Sequence, residues 1–394
     1  MEALITVWIA AIGLSIGSFL NVVIGRLPDP QKGDPEYADY EAKILALPDA
    51  VGWWQNWKQG LTLSGWAFRR LVWPRSRCPK CGHQLAWYEN IPVVSWVVLR
   101  GKCSNCKTPI SPRYVFVELV TGTLFVVAIA RYGFDWRLVS ALVFFTFLIP
   151  LIFIDAEHWI LPFELTLPAI AAGLVLPLVL SGQDAFFIAL QGAVAAFLLF
   201  RVMEFLGWAA TGREALGAGD KYLMAMIGAQ VGWRGLLGVI LLSSLQGAVV
   251  GIIRMRLTGR AGPPPEEKKA EEPPKLEEKP PEGGENSDQV KAPEEQEEES
   301  RREKFTPEFV KPGLKWWHRL LAIPFTIFLQ DIPDSPPPDE ETGEVPDWVP
   351  QANNIPFGPW IGLAGIEIML LGPFFVERLA HTQWRLLSEI VFGL

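Results

Sequence analysis

Two sets of residues in this chain have types and spacings suited to chemistry. Asp155 closes the apolar run FLIPLIFID, and Asp220 follows the glycines of LGAGDK at the mouth of another apolar run. Hydrocarbon penalises charge, so a carboxylate at a membrane boundary is a candidate functional group. Two carboxyls brought together at a partly dry site cannot both ionise easily and come to share a proton. One then serves as acid while the other acts as base on a water, which is what peptide hydrolysis requires. The second set is Cys78-Pro-Lys-Cys81 and Cys103-Ser-Asn-Cys106, two C-x2-C knuckles at a separation close to that of a zinc ribbon. Zinc held by four thiolates has no open position for water, so its expected role is structural.

Each feature also has a plainer reading. Asp155 could be an ordinary polar helix end, and Asp220 could be the N-terminal cap of the span that follows it. The four thiols could form two disulfides or be unrelated, although a cytoplasmic placement disfavours disulfides. The elements that must position these residues decide between the readings.

Half of the 394 residues are hydrophobic, with 17 Trp and 23 Phe, and the mean hydropathy is +0.22. That composition excludes an ordinary soluble domain and points to an all-α integral membrane protein. The formal charge of -8 resides mostly in one acidic run, 266–303. About eight transmembrane helices are expected, near 3–24, 115–130, 138–154, 165–180, 186–206, 222–231 and a little beyond, 236–253 and 357–376. Glu2 opens the first without a basic start, so it reads as a retained span. The loop 26–113 carries Arg69, Arg70, Arg75, Arg77, Lys80, Arg100, Lys102, Lys107 and Arg113, which marks it as cytoplasmic. Counting spans from there puts Asp155, at the exit of the third, and Asp220, before the sixth, on that same face. Arg254, Arg256 and Arg260 agree with this count.

The chain therefore divides into a first helix (1–25), a cytoplasmic loop domain with the zinc-ribbon-like cysteine site (26–113) and a membrane core with the aspartate pair (114–259). An acidic Pro-rich insertion (260–354) and a last span with its tail (355–394) follow. Segments 28–73 and 314–330 read as interfacial, 262–300 as disordered and 333–350 as a second acidic linker. Glu118 is expected to line the aspartates' cavity or to pair with Arg113 or another cation. Asn21 is expected to bond between helices, Arg201 and Glu204 to form an i, i+3 ion pair, and His158 to be a plain helix-end residue. No internal repeat or G-x-G-x-x-G fingerprint is found, and nothing points to nucleic acid as a partner.

Several segments carry a denser signal: GSFLNVVIGRLP at 17–28, RCPKCGHQL, NIPVVSW, RGKCSNCKTPISPRY, VELVTG at 117–122, Asp155 with Pro162, GAGDK and IPFGPW at 355–360. In these the chain resembles the prepilin peptidase family, the bifunctional leader peptidases of type IV pilus and type II secretion systems. The resemblance implies a membrane aspartyl protease of the GxGD type, with Asp155 and Asp220 catalytic and Cys78, Cys81, Cys103 and Cys106 holding zinc. It further implies cleavage of prepilin or pseudopilin leaders after a glycine at the cytoplasmic face of the bacterial inner membrane. N-methylation with S-adenosylmethionine as donor is implied as well, by residues the sequence leaves unknown. Besides the prepilin, the implied partner is membrane lipid. The chain departs from the family at Glu157 and Phe163, where aspartates are common, and in the 262–350 insertion. The rival readings are a peptidase without methyltransferase activity and a proton-coupled transporter or scaffold, the latter disfavoured by the missing repeat.

Overall fold

The computed structural model describes residues 2–28, 71, 75–211, 216–217, 219–259 and 355–372. Almost all of the expected interfacial segment 28–73, the insertion 260–354 and the chain beyond 372 lie outside the described residues. The described chain is helical, and its only extended pairings are two isolated bridges, Arg77 with Gln84 and Lys102 with Pro109.

In chain order the helices are α1 (Glu2–Arg26), α2 (Val94–Val98), α3 (Arg113–Tyr132), α4 (Trp136–His158), α5 (Phe163–Ser181), α6 (Gln183–Thr211), α7 (Asp220–Thr258) and α8 (Gly358–Gly372). A 3-10 turn, Trp87–Asn90, precedes α2. Six of them are long and apolar enough to cross a membrane: α1, α3, α4, α5, α6 and α7. Each of the eight expected spans falls on a helix among the described residues. The sixth and seventh are two helices that meet within α7 at a kink where Gly232 takes φ 69° and ψ 170°, and the eighth is the shorter α8. A glycine can occupy that backbone without a Cβ clash, so the chain can kink there between the two apolar runs.

The chain divides into two compact units, Met1–Leu198 with Gly219–Gln246 and Pro356–Leu394, and Leu199–Ala218 with Gly247–Ile355. Within the first, close helix contacts are made by small residues. Without a hydrophobic force between helices in lipid, packing and hydrogen bonds must drive association, and glycine gives the closest approach. A Cβ on Gly13 would meet Gly122 Cα at 2.9 Å, and one on Gly17 would meet Glu118 Cα at 2.7 Å, so α1 crosses α3 backbone to backbone. Asn21, buried further along α1, donates to the Tyr114 carbonyl of α3 at 2.9 Å, the expected interhelical bond.

The first part of α7 is the most enclosed segment of this unit: Leu223, Met224, Ala225, Met226, Ile227 and Ala229 are all buried. Three glycines of neighbouring helices abut it, Gly173 of α5 at Ala229, Gly192 of α6 at Gly228, and Gly365 of α8 at Ile227. Ser140 of α4 donates to Gln230 at 2.9 Å. Beyond Gly232 the same helix shows Leu237, Leu241 and Leu245 exposed at i, i+4 spacing, the pattern of a lipid-facing stripe.

In the second unit Arg201 and Glu204 form the expected i, i+3 ion pair, 2.9 Å long and buried on both sides.

Candidate functional site

Asp155 sits in the last turn of α4 and is 7% exposed. The helix stops just beyond it because Trp159 adopts the left-handed conformation (φ 61°, ψ 27°) and returns its N–H to the Asp155 carbonyl at 3.0 Å. A non-glycine residue there is uncommon, so the neighbouring structure must hold this turn in place. Asp155 Oδ2 is buried with no hydrogen-bond partner. Against the carboxyl lies the first residue of α8, Gly358, whose backbone N–H interacts with it. A Cβ on Gly358 would fall 2.6 Å from Oδ2 and 3.0 Å from Cγ. Glycine is therefore required here to leave the carboxyl its space.

Asp220 is the first residue of α7 and is 6% exposed. Its predecessor Gly219 accepts from the N–H groups of Tyr222 and Leu223, which starts the helix. A Cβ on Gly219 would meet Leu161 Cβ at 2.8 Å, so the glycine before Asp220 rests on the loop that leaves Asp155. Both aspartates thus lie buried in one unit, one at the C-terminal end and one at the N-terminal end of a membrane helix, and their flanking segments touch.

The cysteines come together from two knuckles built alike. Cys78 donates its N–H to His83 O and accepts from Gly82, while Cys103 donates to Thr108 O and accepts from Lys107. Gly82 (φ 70°) and Lys107 (φ 55°) occupy the same left-handed position after the second cysteine. All four Sγ atoms lie within 4.8 Å of one another, with Cys78 and Cys106 at 3.7 Å and Cys81 and Cys103 at 4.0 Å. Tetrahedral zinc with sulfurs about 2.3 Å away needs sulfurs about 3.8 Å apart, so the set fits a metal ion such as zinc. The thiols are free of disulfides. Hydrogen bonds from the Thr108 hydroxyl and N–H pull the Cys106 thiol down to about 6, and N–H groups of Cys81 and Lys80 lower that of Cys78, whereas burial and the neighbouring thiols of Cys106 and Cys78 push Cys81 up, so Cys106 and Cys78 are the thiols poised as thiolates. Among the described residues this is the only cluster able to hold an ion, so His158 has no ligand partner there.

Glu118 does not take Arg113 as its partner. Its Oε2 accepts the Val93 N–H at 2.8 Å, so it ties the cysteine module to α3. Arg113 pairs with Glu157 of α4, which gives that unusual glutamate a partner. A cavity of about 560 Å³ opens between α1 and the cysteine module, lined by Ser18, Arg26, Arg75, Trp87 and Asn90 among others. Gly358 is the site residue that sequence reasoning passed over. IPFGPW was visible as a motif, yet its contact with Asp155 spans some 200 residues of sequence and leaves no local pattern.

Fold and site together define a multi-pass helical membrane protein with a cluster of four thiols able to hold a metal ion and buried carboxylates at helix ends. Residues 11–132 match the bacterial peptidase A24 N-terminal domain, and residues 142–252 match the type IV leader peptidase family. A prepilin leader peptidase/N-methyltransferase of Myxococcus xanthus (strain DK1622) is 45% identical over 371 residues, 94% of this chain and 91% of the relative. Relatives of the same name from Stutzerimonas stutzeri and Pseudomonas aeruginosa are 41% and 39% identical over 249 residues, 62% of this chain and 80% and 79% of theirs. The chain belongs to the prepilin leader peptidase/N-methyltransferase family. The 94% coverage means that the long insertion is largely shared with the Myxococcus protein. No solved structure matches the chain.

Proposed function

We propose that this protein is a membrane aspartyl endopeptidase that removes the leader of type IV prepilins or pseudopilins after a glycine, at the cytoplasmic face of the bacterial inner membrane. It then N-methylates the new N-terminus. The observation that carries the reading is the pair Asp155 and Asp220, both buried in one unit and linked through the Leu161–Gly219 contact. The open lone pairs of Asp155 Oδ2 suit it to bind the attacking water or the scissile carbonyl.

In the mechanism, the ionised carboxyl of the pair removes a proton from water as the oxygen attacks the carbonyl carbon. The protonated carboxyl gives its proton to the carbonyl oxygen, and the tetrahedral intermediate collapses as the leaving amine is protonated. Burial keeps bulk water from competing and strengthens each electrostatic contact. Cys78, Cys81, Cys103 and Cys106 would hold zinc through four thiolates, leaving it a structural role in shaping the loop domain.

S-adenosylmethionine, when bound, supplies an electrophilic methyl group to the freed amine. The cavity beside α1 fits such a donor: Arg26 and Arg75 would hold its carboxylate, and the Trp87 indole offers a face for its purine. The test is co-expression with a prepilin followed by mass analysis of the product N-terminus. A cleaved, methylated product is expected, with Arg75→Ala giving a cleaved, unmethylated one. An uncleaved precursor would refute the peptidase reading, and an unmethylated wild-type product the transferase reading.

A further inference from the structure

Helix α2 leaves an apolar face uncovered. Val94, Val97 and Val98 recur at helical spacing, with Ile91 exposed just before them, and Val97 and Val98 are 60% and 73% exposed. The opposite side turns inward: Trp96 donates its indole N–H to Ile110 O, and Gly101 packs against the same ring. A short helix is thus amphipathic toward something outside its own module.

The height of α2 is fixed by a specific tie. Val93, just before it, has φ 61° and ψ -49°, the strained form of a γ-turn closed by the Val94 N–H on Pro92 O. A valine at positive φ persists only where the surroundings impose it. Here the Val93 N–H is taken by Glu118, the sixth residue of α3. At 1.5 Å per residue, that anchor lies about 7 Å along α3 from Arg113, within the span and not above it. The charge around the face also has one sign. Residues 75–112 hold six cations, among them Arg100 and Lys102 directly after the apolar stripe, against the single carboxylate Glu89, which is engaged by His83.

We propose that α2 is an interfacial anchor, with Ile91, Val94, Val97 and Val98 lying in the headgroup–acyl boundary of the cytoplasmic leaflet and Arg100 and Lys102 on its anionic headgroups. Apolar residues at this depth with flanking cations are the chemistry of a lipid surface. The contact would set the cysteine module at a fixed height on the membrane. The inference rests on α3 being a span and is independent of the peptidase reading.

The experiment places the photo-crosslinking residue p-benzoylphenylalanine at Val97 or Val98 of the full chain in native membranes, with a prepilin co-expressed. Leu241, exposed on α7, serves as the lipid-facing reference, and Lys80, exposed on a knuckle, as the solvent reference. Lipid adducts at 97 and 98 are expected to match those at 241 and to exceed those at 80 about tenfold, with phosphatidylglycerol enriched over its bulk share. Crosslinks to the prepilin or to a second copy of the chain, or lipid yields no higher than at 80, would overturn the proposal. Hydroxyl-radical footprinting of the unaltered protein in anionic nanodiscs gives a check that does not depend on a variant folding. Residues 91–98 are expected to be protected as 241 is, and labelling as strong as at Lys80 would overturn the proposal.

Discussion

Gly358→Ala is the substitution that tests the Asp155 environment most sharply. The added methyl would lie 2.6 Å from Oδ2, whereas ordinary contacts begin near 3.4 Å, so the carboxyl or the start of α8 must yield 0.8 Å. The Asp155 side chain is short and enclosed, so the carboxyl absorbs most of this movement by rotating away from its set position. A misplacement of about 1 Å costs catalysis on the order of 100-fold, so a loss of roughly 10- to 100-fold in turnover is expected. Stability changes less, because overpacking at about 1–3 kcal/mol is partly offset by the higher helix propensity of alanine. The assay follows prepilin cleavage by gel shift under single-turnover conditions, with thermal stability and metal content measured on the same sample. Gly25→Ala is the control, since nothing lies within 4 Å of its added methyl, and it should cleave as wild type does. If Gly358→Ala also cleaves at the wild-type rate while folded, Asp155 is not held for catalysis in the way described.

Three further outcomes follow from the same geometry. Gly192→Ala would drive a methyl into the Gly228 carbonyl, and because backbone cannot rotate aside, the loss should be about 3 kcal/mol or more despite the propensity gain, measurable as a lower melting temperature in detergent. Glu89 is held at about 2 by hydrogen bonds from the Ser104 hydroxyl and the Ala86 N–H and by His83, below its ordinary 4.5. Its stabilisation is therefore complete above pH 4.5 and is lost as pH falls through about 2, so the stability difference between wild type and Glu89→Gln, about 1–3 kcal/mol near neutrality, should shrink across that window. Cys103→Ser removes a buried thiolate from the set of four and should abolish stoichiometric zinc, read by elemental analysis, and open residues 75–112 to limited proteolysis.

Much of this architecture was legible because membrane and metal chemistry leave local marks. The cysteine knuckles could be read from spacing alone, since one ion must gather four thiols. Asp155 and Asp220 stood out as acids at the ends of apolar runs, and the fold buries both of them there. The division between the sixth and seventh spans was legible as a break between two apolar runs, and in the fold it is the kink at Gly232 where two helices meet inside α7. The bond from the Val93 N–H to Glu118 could not be foreseen, because a backbone donor at a strained residue leaves no mark in side-chain types. Gly358 escaped for a related reason: a glycine needed for its lack of volume carries no chemical signature until its neighbour is known.

The central claim is that Asp155 and Asp220 together hydrolyse the leader peptide bond. Its most direct test is the mass of the prepilin N-terminus after co-expression with Asp155→Asn and, separately, with Asp220→Asn, each checked for wild-type metal content and melting temperature. Asparagine keeps the shape and removes the ionisable group, so both variants are expected to leave the precursor uncleaved. A mature N-terminus produced at the wild-type rate by either folded variant would contradict the account.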